Sequence, residues 1–323
     1  MQIFHKLDDI PRSFGPTVVS VGNFDGVHCA HRQVLGNVVA RARQLGAKSL
    51  VVTFEPHPMR ILRPDVAPRL LTPTAVKVRL LAATGIDAIL LLPFTRDLSL
   101  MPPREFVRAI LHEGLRAREV HEGFNFHFGH RAEGDVNVLR ELGREFGFDV
   151  HVYEAMLLRG DVVSSSRIRE LLLVGRISRA NRILGRAFSI ISRAGRGRGY
   201  GHRYTVPTIN LASYDEVVPQ DGVYVSRARI GQEWFDSVTN IGTRPTFETE
   251  SFAIETHLLN FHPIEVTSDT EIELSFLYRL RGEQKFPSVD ALRQQIARDV
   301  HRTRHYFELL QHRISAAEAE ASR

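Results

Sequence analysis

The chain has 323 residues, of which 43% are hydrophobic and 24% charged, and its formal net charge is +5. A chain of this length can form two domains, and its composition is typical of a globular protein. Its positive charge is equally compatible with binding nucleic acid and with binding phosphorylated small molecules. The single cysteine, Cys29, excludes an internal disulfide framework. The sequence shows neither an apolar run near the ~18 residues of a membrane span nor a signal-like N terminus, so we expect a cytoplasmic protein.

The first predicted elements are a buried strand, a glycine-containing turn and a helix. Residues 17–21 are a β-branched run typical of a strand buried on both faces. Gly22 and Gly26 then allow the backbone to turn and to approach a ligand closely. His28 and His31 fall three residues apart in the first turn of the helix, beside unpaired backbone N–H groups and the positive end of the helix dipole. This pattern predicts a phosphate-binding turn.

Two other interpretations of His28 and His31 stay open at this stage. Histidines at this spacing can ligate a metal, although no Glu follows the first one as the zinc-protease pattern requires. They can also be incidental surface side chains, since the chain has fifteen histidines. The glycines, Asn23 and Asp25 in the same turn favour phosphate binding.

The stretch GNFDGVHCAH also resembles the GNFDGVHxGH signature of bacterial FAD synthetases, the bifunctional riboflavin kinase/FMN adenylyltransferases. That signature is one form of the HxGH motif of the wider nucleotidyltransferases, and Ala30 stands where the family usually has glycine. The resemblance implies that an ATP site for adenylyl transfer is built from the residues of this turn, namely Gly22, Asn23, Phe24, Asp25, His28 and His31.

The next elements continue a strand and helix alternation. We predict buried strands at 49–54 and 88–93, and helices at 70–85 and 103–114. Strand, helix and strand over these lengths form right-handed βαβ units in a parallel sheet. The EPHP segment at 55–58 therefore follows the carboxyl end of a parallel strand, where open α/β sheets bind ligands, and TFEPHP also resembles the family. A plain strand exit held by prolines is the alternative.

The stretch FNFHFGHRAEGDV has alternating aromatic residues closed by glycines, which predicts a strand end followed by a loop. It resembles the FRFGxxRxGD segment of the family, with Ala132 where the arginine usually lies and Arg131 one place earlier. We expect Asn125 to contact the nucleotide.

The segment SSSRIR follows the last predicted strand of the sheet. Residues Ser164 to Ser166 can cap the next helix, and Arg167 and Arg169 then project from its first turn. Cations at a helix N terminus are unfavourable unless an anion lies between them. The two arginines therefore indicate a bound triphosphate. The alternative is a capped helix whose arginines are solvated. The segment resembles SSTRIR of nucleotidyltransferases, which adds to the implied ATP site Ser165, Ser166, Arg167 and Arg169.

From about residue 185 the pattern changes to short strands separated by turn residues. We predict these strands at 187–192, 223–230, 234–241, 252–260 and 271–280. Together they suggest a small antiparallel barrel. The predicted domains are therefore 1–185 and 186–312, followed by a tail at 313–323.

We expect a helix over 286–310 to pack on the barrel. Its apolar face would consist of Leu292, Ile296, Val300, Tyr306 and Leu309. The alanine- and glutamate-rich end of the chain is predicted to fray.

Between the first two barrel strands, AGRGRGYGHRY interleaves glycines with arginines. An RGG-like patch could contact RNA nonspecifically. A glycine flap, including Gly195 and Gly199, could instead cradle a polyphosphate with backbone N–H groups and arginines. The flap is favoured because the patch is short and no second basic or aromatic cluster extends it.

The segment PTIN at 207–210 resembles the PTAN motif of riboflavin kinases, with Ile209 in place of alanine. Thr208 and Asn210 point the same way on an extended segment, and hard oxygen ligands of this kind suit Mg²⁺ on ATP phosphates. NIGTRPTF and IETHLLNF resemble further kinase segments. Alternation alone makes Glu255 a solvent-side carboxylate, whereas the resemblance implies that it is the base for the riboflavin 5′-hydroxyl.

The resemblance covers nearly the whole chain in the family's order. It implies an α/β protein with an N-terminal Rossmann-like nucleotidyltransferase domain and a C-terminal antiparallel β-barrel of the riboflavin kinase type. The expected substrates are ATP, riboflavin and FMN, with Mg²⁺ as cofactor and FAD as product, in a monomer or weak homo-oligomer without nucleic acid or membrane partners. His28, His31 and Arg167 would stabilise the charge of adenylyl transfer. An enzyme with the kinase step alone, and a nucleotidyltransferase with another acceptor, remain alternatives.

Overall fold

The structure is a computed structural model that describes residues 1–195, 208–245, 250–262, 267 and 269–321. The chain divides into two compact units, Met1–Arg167 and Ile168–Arg323. Most of the glycine–arginine segment, including Gly199, lies outside the described residues. Within the described part of the chain, no helix is both long and apolar enough to cross a bilayer.

The first unit is built on a parallel sheet with both faces covered. Its strands are β1 (Gln2–Phe4), β2 (Thr17–Val21), β3 (Lys48–Glu55), β4 (Ala88–Pro93), β5 (Ala117–Gly123) and β6 (Asp149–Tyr153). They lie in the order β1-β4-β3-β2-β5-β6, and every neighbouring pair is parallel. Along the chain, β3 and β4 follow on one side of β2, and β5 then pairs with the other side of β2. The switch point of this Rossmann-like sheet, where ligands bind in open α/β folds, is therefore between β2 and β5.

The helices of this part of the chain follow the predicted alternation, with shorter segments in the connections. They are α1 (Cys29–Gln44), α2 (Pro58–Leu62), α3 (Thr74–Ala82), α4 (Arg96–Leu100), α5 (Pro103–Phe106), a π-helical segment Val107–Gly114, α6 (Val136–Phe146) and α7 (Ser165–Leu173). A small hairpin before α7 consists of β7 (Leu157–Leu158) and β8 (Asp161–Val162). The predicted helix at 70–85 is shorter in the structure because Pro73 occupies the N-cap of α3.

Two apolar layers explain why the strands are almost continuously hydrophobic. One layer packs Val19, Val21 and Val52 of the sheet against the π-helical segment and α6. The other packs Val51 and Ile89 against α1 and α3. A strand that is buried on both faces needs apolar side chains at successive positions, which the sequence of β2 supplies.

The second unit contains an antiparallel sheet that curls toward closure. Its elements are α8 (Ile177–Leu184), β9 (Phe188–Arg193), β10 (Thr208–Asn210), β11 (Gly222–Ile230), β12 (Glu233–Pro245), β13 (Glu250–Leu258), β14 (Glu271–Arg281) and α9 (Val289–Ala321). The strands lie in the order β10-β13-β12-β11-β14-β9. The two edge strands then meet at a bridge between Ala194 and Leu211. The predicted barrel-like antiparallel domain is confirmed.

The buried face predicted for the last helix was wrong for Leu292, Ile296 and Leu309, whereas Val300 and Tyr306 are half-buried. Leu292, Ile296 and Leu309 are 39%, 48% and 51% exposed. The buried positions are instead spaced four residues apart, and they are Asp299, Thr303 and Phe307. The helix also continues to Ala321, beyond the predicted end at 310.

Polar and aromatic contacts explain this orientation of α9. Arg281 of β14 donates from Nε to Asp299 Oδ2 at 3.0 Å. The guanidinium of Arg227 on β11 lies 5.2 Å from the centre of the Phe307 ring. A buried ion pair and a cation–π contact select this helix face over the more apolar one, and a periodicity argument counts neither of them.

Candidate active sites

The turn after β2 has an unusual backbone that distant residues hold in place. Phe24 and Val27 have positive φ angles of 47° and 39°, which non-glycine residues seldom adopt. The buried carboxylate of Asp25 accepts hydrogen bonds from the backbone N–H groups of Leu71 and Thr72, each at 3.0 Å. Asp25 was predicted to belong to the ATP site, and in the structure its carboxylate shapes the turn.

His28 and His31 lie together at the N terminus of α1, as predicted. His28 is the N-cap, and its Nδ1 accepts a hydrogen bond from the backbone N–H of His31 at 3.3 Å. The two rings stack with centroids 3.6 Å apart and planes 15° apart, and the Phe24 ring meets His31 edge-on at 5.1 Å. The first turn of α1 therefore presents two adjacent imidazoles.

The surroundings of His31 favour its neutral form. Its Nδ1 atom is buried and has no hydrogen-bond partner among the described residues. Burial, reinforced by the neighbouring His28, lowers the pKa of His31 well below 6.5. An anion placed beside the ring would oppose both effects, because a negative charge favours the protonated imidazole.

The serine segment meets this turn, although the two are 140 residues apart in sequence. Ser165 Oγ donates to the backbone carbonyl of Asp25 at 2.9 Å. Ser164 Oγ accepts from the backbone N–H of Arg167 at 3.2 Å, which confirms the predicted cap of α7. Ser166 is exposed.

Arg167 has an anionic partner within the chain, whereas the sequence had indicated a triphosphate. Arg167 donates from Nε and Nη2 to Oδ1 of the buried Asp161, at 3.2 and 3.1 Å. A guanidinium has five N–H donors, so this ion pair is compatible with a phosphate contact. Arg169 lies two positions beyond Arg167, the last residue of the first unit, and belongs to the second unit.

Lys77 was not predicted as a site residue. This side chain of α3 is 6% exposed, and burial lowers its pKa. Its Nζ donates to the Asn23 carbonyl at 3.3 Å, to Thr53 Oγ1 at 3.0 Å and to the Phe54 carbonyl at 3.3 Å. Lys77 thereby ties the turn after β2 to the end of β3. No local pattern distinguishes such a lysine from others on a helix.

Glu122 is a second residue that sequence reasoning missed. It lies near the end of β5, at the switch point, and is 3% exposed. Its Oε1 accepts from the Val21 backbone N–H at 2.6 Å. Burial raises the pKa of Glu122 well above 4.5, against the opposing effect of that hydrogen bond. Burial therefore favours the protonated form of a carboxyl group at this edge of the sheet.

Asn125 follows β5 in an exposed turn that is closed by a hydrogen bond from Phe126 N–H to the Gly123 carbonyl at 3.0 Å. The carboxyl ends of β2 and β5 lie at the same edge of the sheet. This topology puts Asn125 on the same edge as the histidine turn.

In the second unit, strand register brings the predicted kinase residues together. Asn210 lies opposite Glu255, and Thr208 lies opposite His257, across the β10–β13 pair. On the other side of β13, Asn240 of β12 lies opposite Glu255. Residues directly opposite each other in a sheet point to the same face. Asn240 is an addition that the sequence pattern alone did not mark.

The opposite face of β13 is in the core, as alternation predicted. Ile254, Thr256 and Leu258 are all buried. Gly195, the described end of the predicted flap, donates its N–H to the Asn210 carbonyl at 2.8 Å. A Cβ at this glycine would lie 2.6 Å from the Leu211 carbonyl oxygen, so only glycine permits this approach of β9 and β10.

Comparison with known proteins also divides the chain into two parts. The FAD synthetase family model matches residues 10–167, and the riboflavin kinase family model matches residues 184–307. The chain is 34% identical over 309 residues to a bifunctional riboflavin kinase/FMN adenylyltransferase of Escherichia coli (strain K12), with 94% of this chain and 96% of the relative covered. It is 36% identical over 302 residues to a protein of the same name from Pseudomonas fluorescens, with 93% and 96% covered.

Among solved structures, a macrolide-efflux protein from Streptococcus pneumoniae has a similar fold. The TM-score is 0.83 and the sequence identity 26%, with 94% of this chain and 98% of that chain covered. With an FAD synthetase domain followed by a riboflavin kinase domain, the chain belongs to the family of bifunctional riboflavin kinase/FMN adenylyltransferases.

Proposed function

We propose that the chain catalyses two successive reactions at two separate sites, with ATP as a substrate of both. The second unit phosphorylates riboflavin to FMN, and the first unit transfers AMP to FMN to give FAD and pyrophosphate. Membership of the family implies ATP, riboflavin and FMN as substrates. The observation that carries the proposal is that each unit presents its own set of residues suited to phosphate chemistry.

For adenylyl transfer, the site is the turn after β2 with the first turn of α1. A phosphate oxygen of FMN would attack the α-phosphorus of ATP, and the bond between the α-phosphorus and the bridging oxygen of pyrophosphate would break. His28 and His31 would donate hydrogen bonds where negative charge develops, supported by the positive end of the α1 dipole. Arg167 would contact the polyphosphate while Asp161 keeps it oriented.

For the kinase step, Glu255 would accept the proton of the riboflavin 5′-hydroxyl as that oxygen attacks the γ-phosphorus of ATP and ADP leaves. Thr208 and Asn210 would hold Mg²⁺. Their hydroxyl and amide oxygens share one face of β10, opposite Glu255 and His257 of β13. Hard oxygen donors beside a carboxylate fit this ion, which would neutralise phosphate charge.

We place the domain boundary near residue 185. The riboflavin kinase match begins at residue 184, and α8 ends at the left-handed Gly185. The segment 168–184 packs with the second unit, although the FAD synthetase match ends at 167. Because it lies between the two family matches, we propose that it connects the two domains.

We also propose that the enzyme acts in the cytoplasm as a monomer or weak homo-oligomer, without a nucleic acid partner. The glycine–arginine segment is short, and no second basic or aromatic cluster in the sequence extends it, which supports the absence of a nucleic acid partner. RNA binding that survived physiological salt and competed with ATP would contradict it, since nonspecific contacts weaken steeply as salt rises.

The direct test is to incubate the full chain with riboflavin, ATP and Mg²⁺ and to separate the products. Both FMN and FAD are expected, with FMN formed first. FMN without FAD would leave only the kinase step, and neither product would remove both proposed activities.

A further inference from the structure

A cluster of potential metal ligands lies on the sheet face that α1 covers, and neither proposed reaction uses it. Glu119 and His121 come from β5, and His151 comes from β6, where it pairs with His121 in register. Their ligand atoms all lie within 4.8 Å of one another. Glu119 Oε2 is 3.1 Å from His121 Nε2 and 3.5 Å from His151 Nε2.

The two separations from Glu119 Oε2 are close to the edges of a tetrahedral metal site. Zn²⁺ bonds to imidazole nitrogen and carboxylate oxygen are about 2.0–2.2 Å long, so neighbouring ligand atoms in a tetrahedron lie roughly 3.3–3.6 Å apart. Two imidazoles and one carboxylate are a donor set that suits first-row transition metals rather than Mg²⁺ or Ca²⁺. The pairing of β5 and β6 therefore brings the three ligands close to the required spacing.

Neighbouring side chains would orient two of the three ligands. The Tyr153 hydroxyl lies 2.7 Å from His121 Nδ1, where it can accept that N–H and leave Nε2 for the metal. Arg41 of α1 donates from Nε to Glu119 Oε2 at 3.0 Å and from Nη2 to Oε1. A carboxylate has about four lone-pair sites, so this pairing leaves room for a metal bond.

His151 has a feature that the protein hydrogen bonds leave unexplained. Its side chain is 43% exposed, yet its Nε2 atom is buried and has no hydrogen-bond partner among the described residues. Both ring nitrogens of His121 have hydrogen-bond partners, namely Tyr153 and Glu119. His151 Nε2 differs from them because it has none among the described residues. A buried polar atom normally has a partner, and a metal ion would supply one.

We infer that Glu119, His121 and His151 bind a divalent transition metal of the Zn²⁺ class, with the fourth position open to water. Arg41 comes ten residues after His31 on α1, which is about 15 Å along the helix. None of the three ligands belongs to the residues proposed for the nucleotide site, and the inference does not depend on the proposed function.

The test uses the tag-free full chain, stripped with EDTA and titrated with Co²⁺ as a spectroscopic probe. We expect one Co²⁺ per chain with the visible absorption of tetrahedral cobalt, and we expect Zn²⁺ to displace it. His151→Ala should abolish the band. Tyr153→Phe should keep the band and weaken binding by roughly 10- to 100-fold, the usual effect of losing a partner of a ligating histidine.

The matched control is His5→Ala, which removes an exposed histidine outside the cluster and should bind Co²⁺ like the parent. Circular dichroism would establish that each variant is folded. The inference is overturned if the parent shows no band, or if the band persists in folded His151→Ala. A band that disappears in His31→Ala but not in His151→Ala would locate the metal at the stacked imidazoles and would also overturn it.

Discussion

The two proposed sites are built in different ways. In the first unit, the reactive groups lie on an unusual turn that residues far away in sequence hold in place, through Asp25, Lys77 and Ser165. In the second unit, Asn210 and Glu255 are brought together by backbone pairing between two strands. A site on a turn depends on side-chain anchors, whereas a site on paired strands depends on register. The two should therefore fail independently and respond to different kinds of substitution.

The largest expected effect is on the kinase site. Glu255→Gln keeps the shape of the side chain and removes the base, so FMN formation should fall by about 10²–10⁴-fold. Added FMN should still be converted to FAD, which is measured by separating the flavins after incubation with ATP and Mg²⁺. Glu233→Gln, at an exposed position on β12, is the control and should leave both rates unchanged. Loss of both reactions in Glu255→Gln would mean that the residue supports the structure of the whole chain.

His31→Ala is the corresponding test of the first unit. Removal of one preorganised donor to a developing charge costs about 10²–10³-fold in rate, so FAD formation from FMN should fall by that amount. FMN formation from riboflavin should be unaffected. His5→Ala is the control, and an equal loss of both activities in His31→Ala would contradict the model of two sites.

Asp25→Asn tests whether remote anchoring matters for the first site alone. The substitution weakens charge-assisted hydrogen bonds to the backbone of residues 71 and 72, so the free energy of unfolding of the first unit should fall by about 2–3 kcal/mol. FAD formation should drop while FMN formation continues. Chemical denaturation measures the first effect, and Asp8→Asn at an exposed position is the control. Unchanged stability would show that the carboxylate does not hold the turn.

The smallest effect is a pH dependence at the switch point. The pKa of Glu122 is raised in the folded state, so between 4.5 and that raised value the folded chain binds one more proton than the unfolded chain. Stability should therefore fall as pH rises, by about 1.4 kcal/mol per pH unit from this group. Glu122→Gln retains an acceptor for the Val21 N–H and should remove this slope. Urea denaturation of both proteins at a series of pH values above 4.5 measures the difference, and parallel curves would contradict the assignment.

Local patterns predicted much of both sites. The spacing of His28 and His31 placed them in one helical turn, and alternation along β13 placed Glu255 away from the core. The same kind of argument failed for α9, where the exposed Leu292 and Ile296 had been expected to be buried. Periodicity measures how apolar a helix face is, but it contains no information about an ion pair such as that between Arg281 and Asp299.

The sequence by itself determined the element types, the parallel and antiparallel halves, and the family, because hydrophobic periodicity, turn residues and motifs are local properties. Only the tertiary structure decided that Asp161 pairs with Arg167, that Lys77 reaches the turn after β2, and that Glu119, His121 and His151 converge. These contacts join residues from different elements. Their geometry follows from strand order and helix packing, and no short stretch of sequence encodes either.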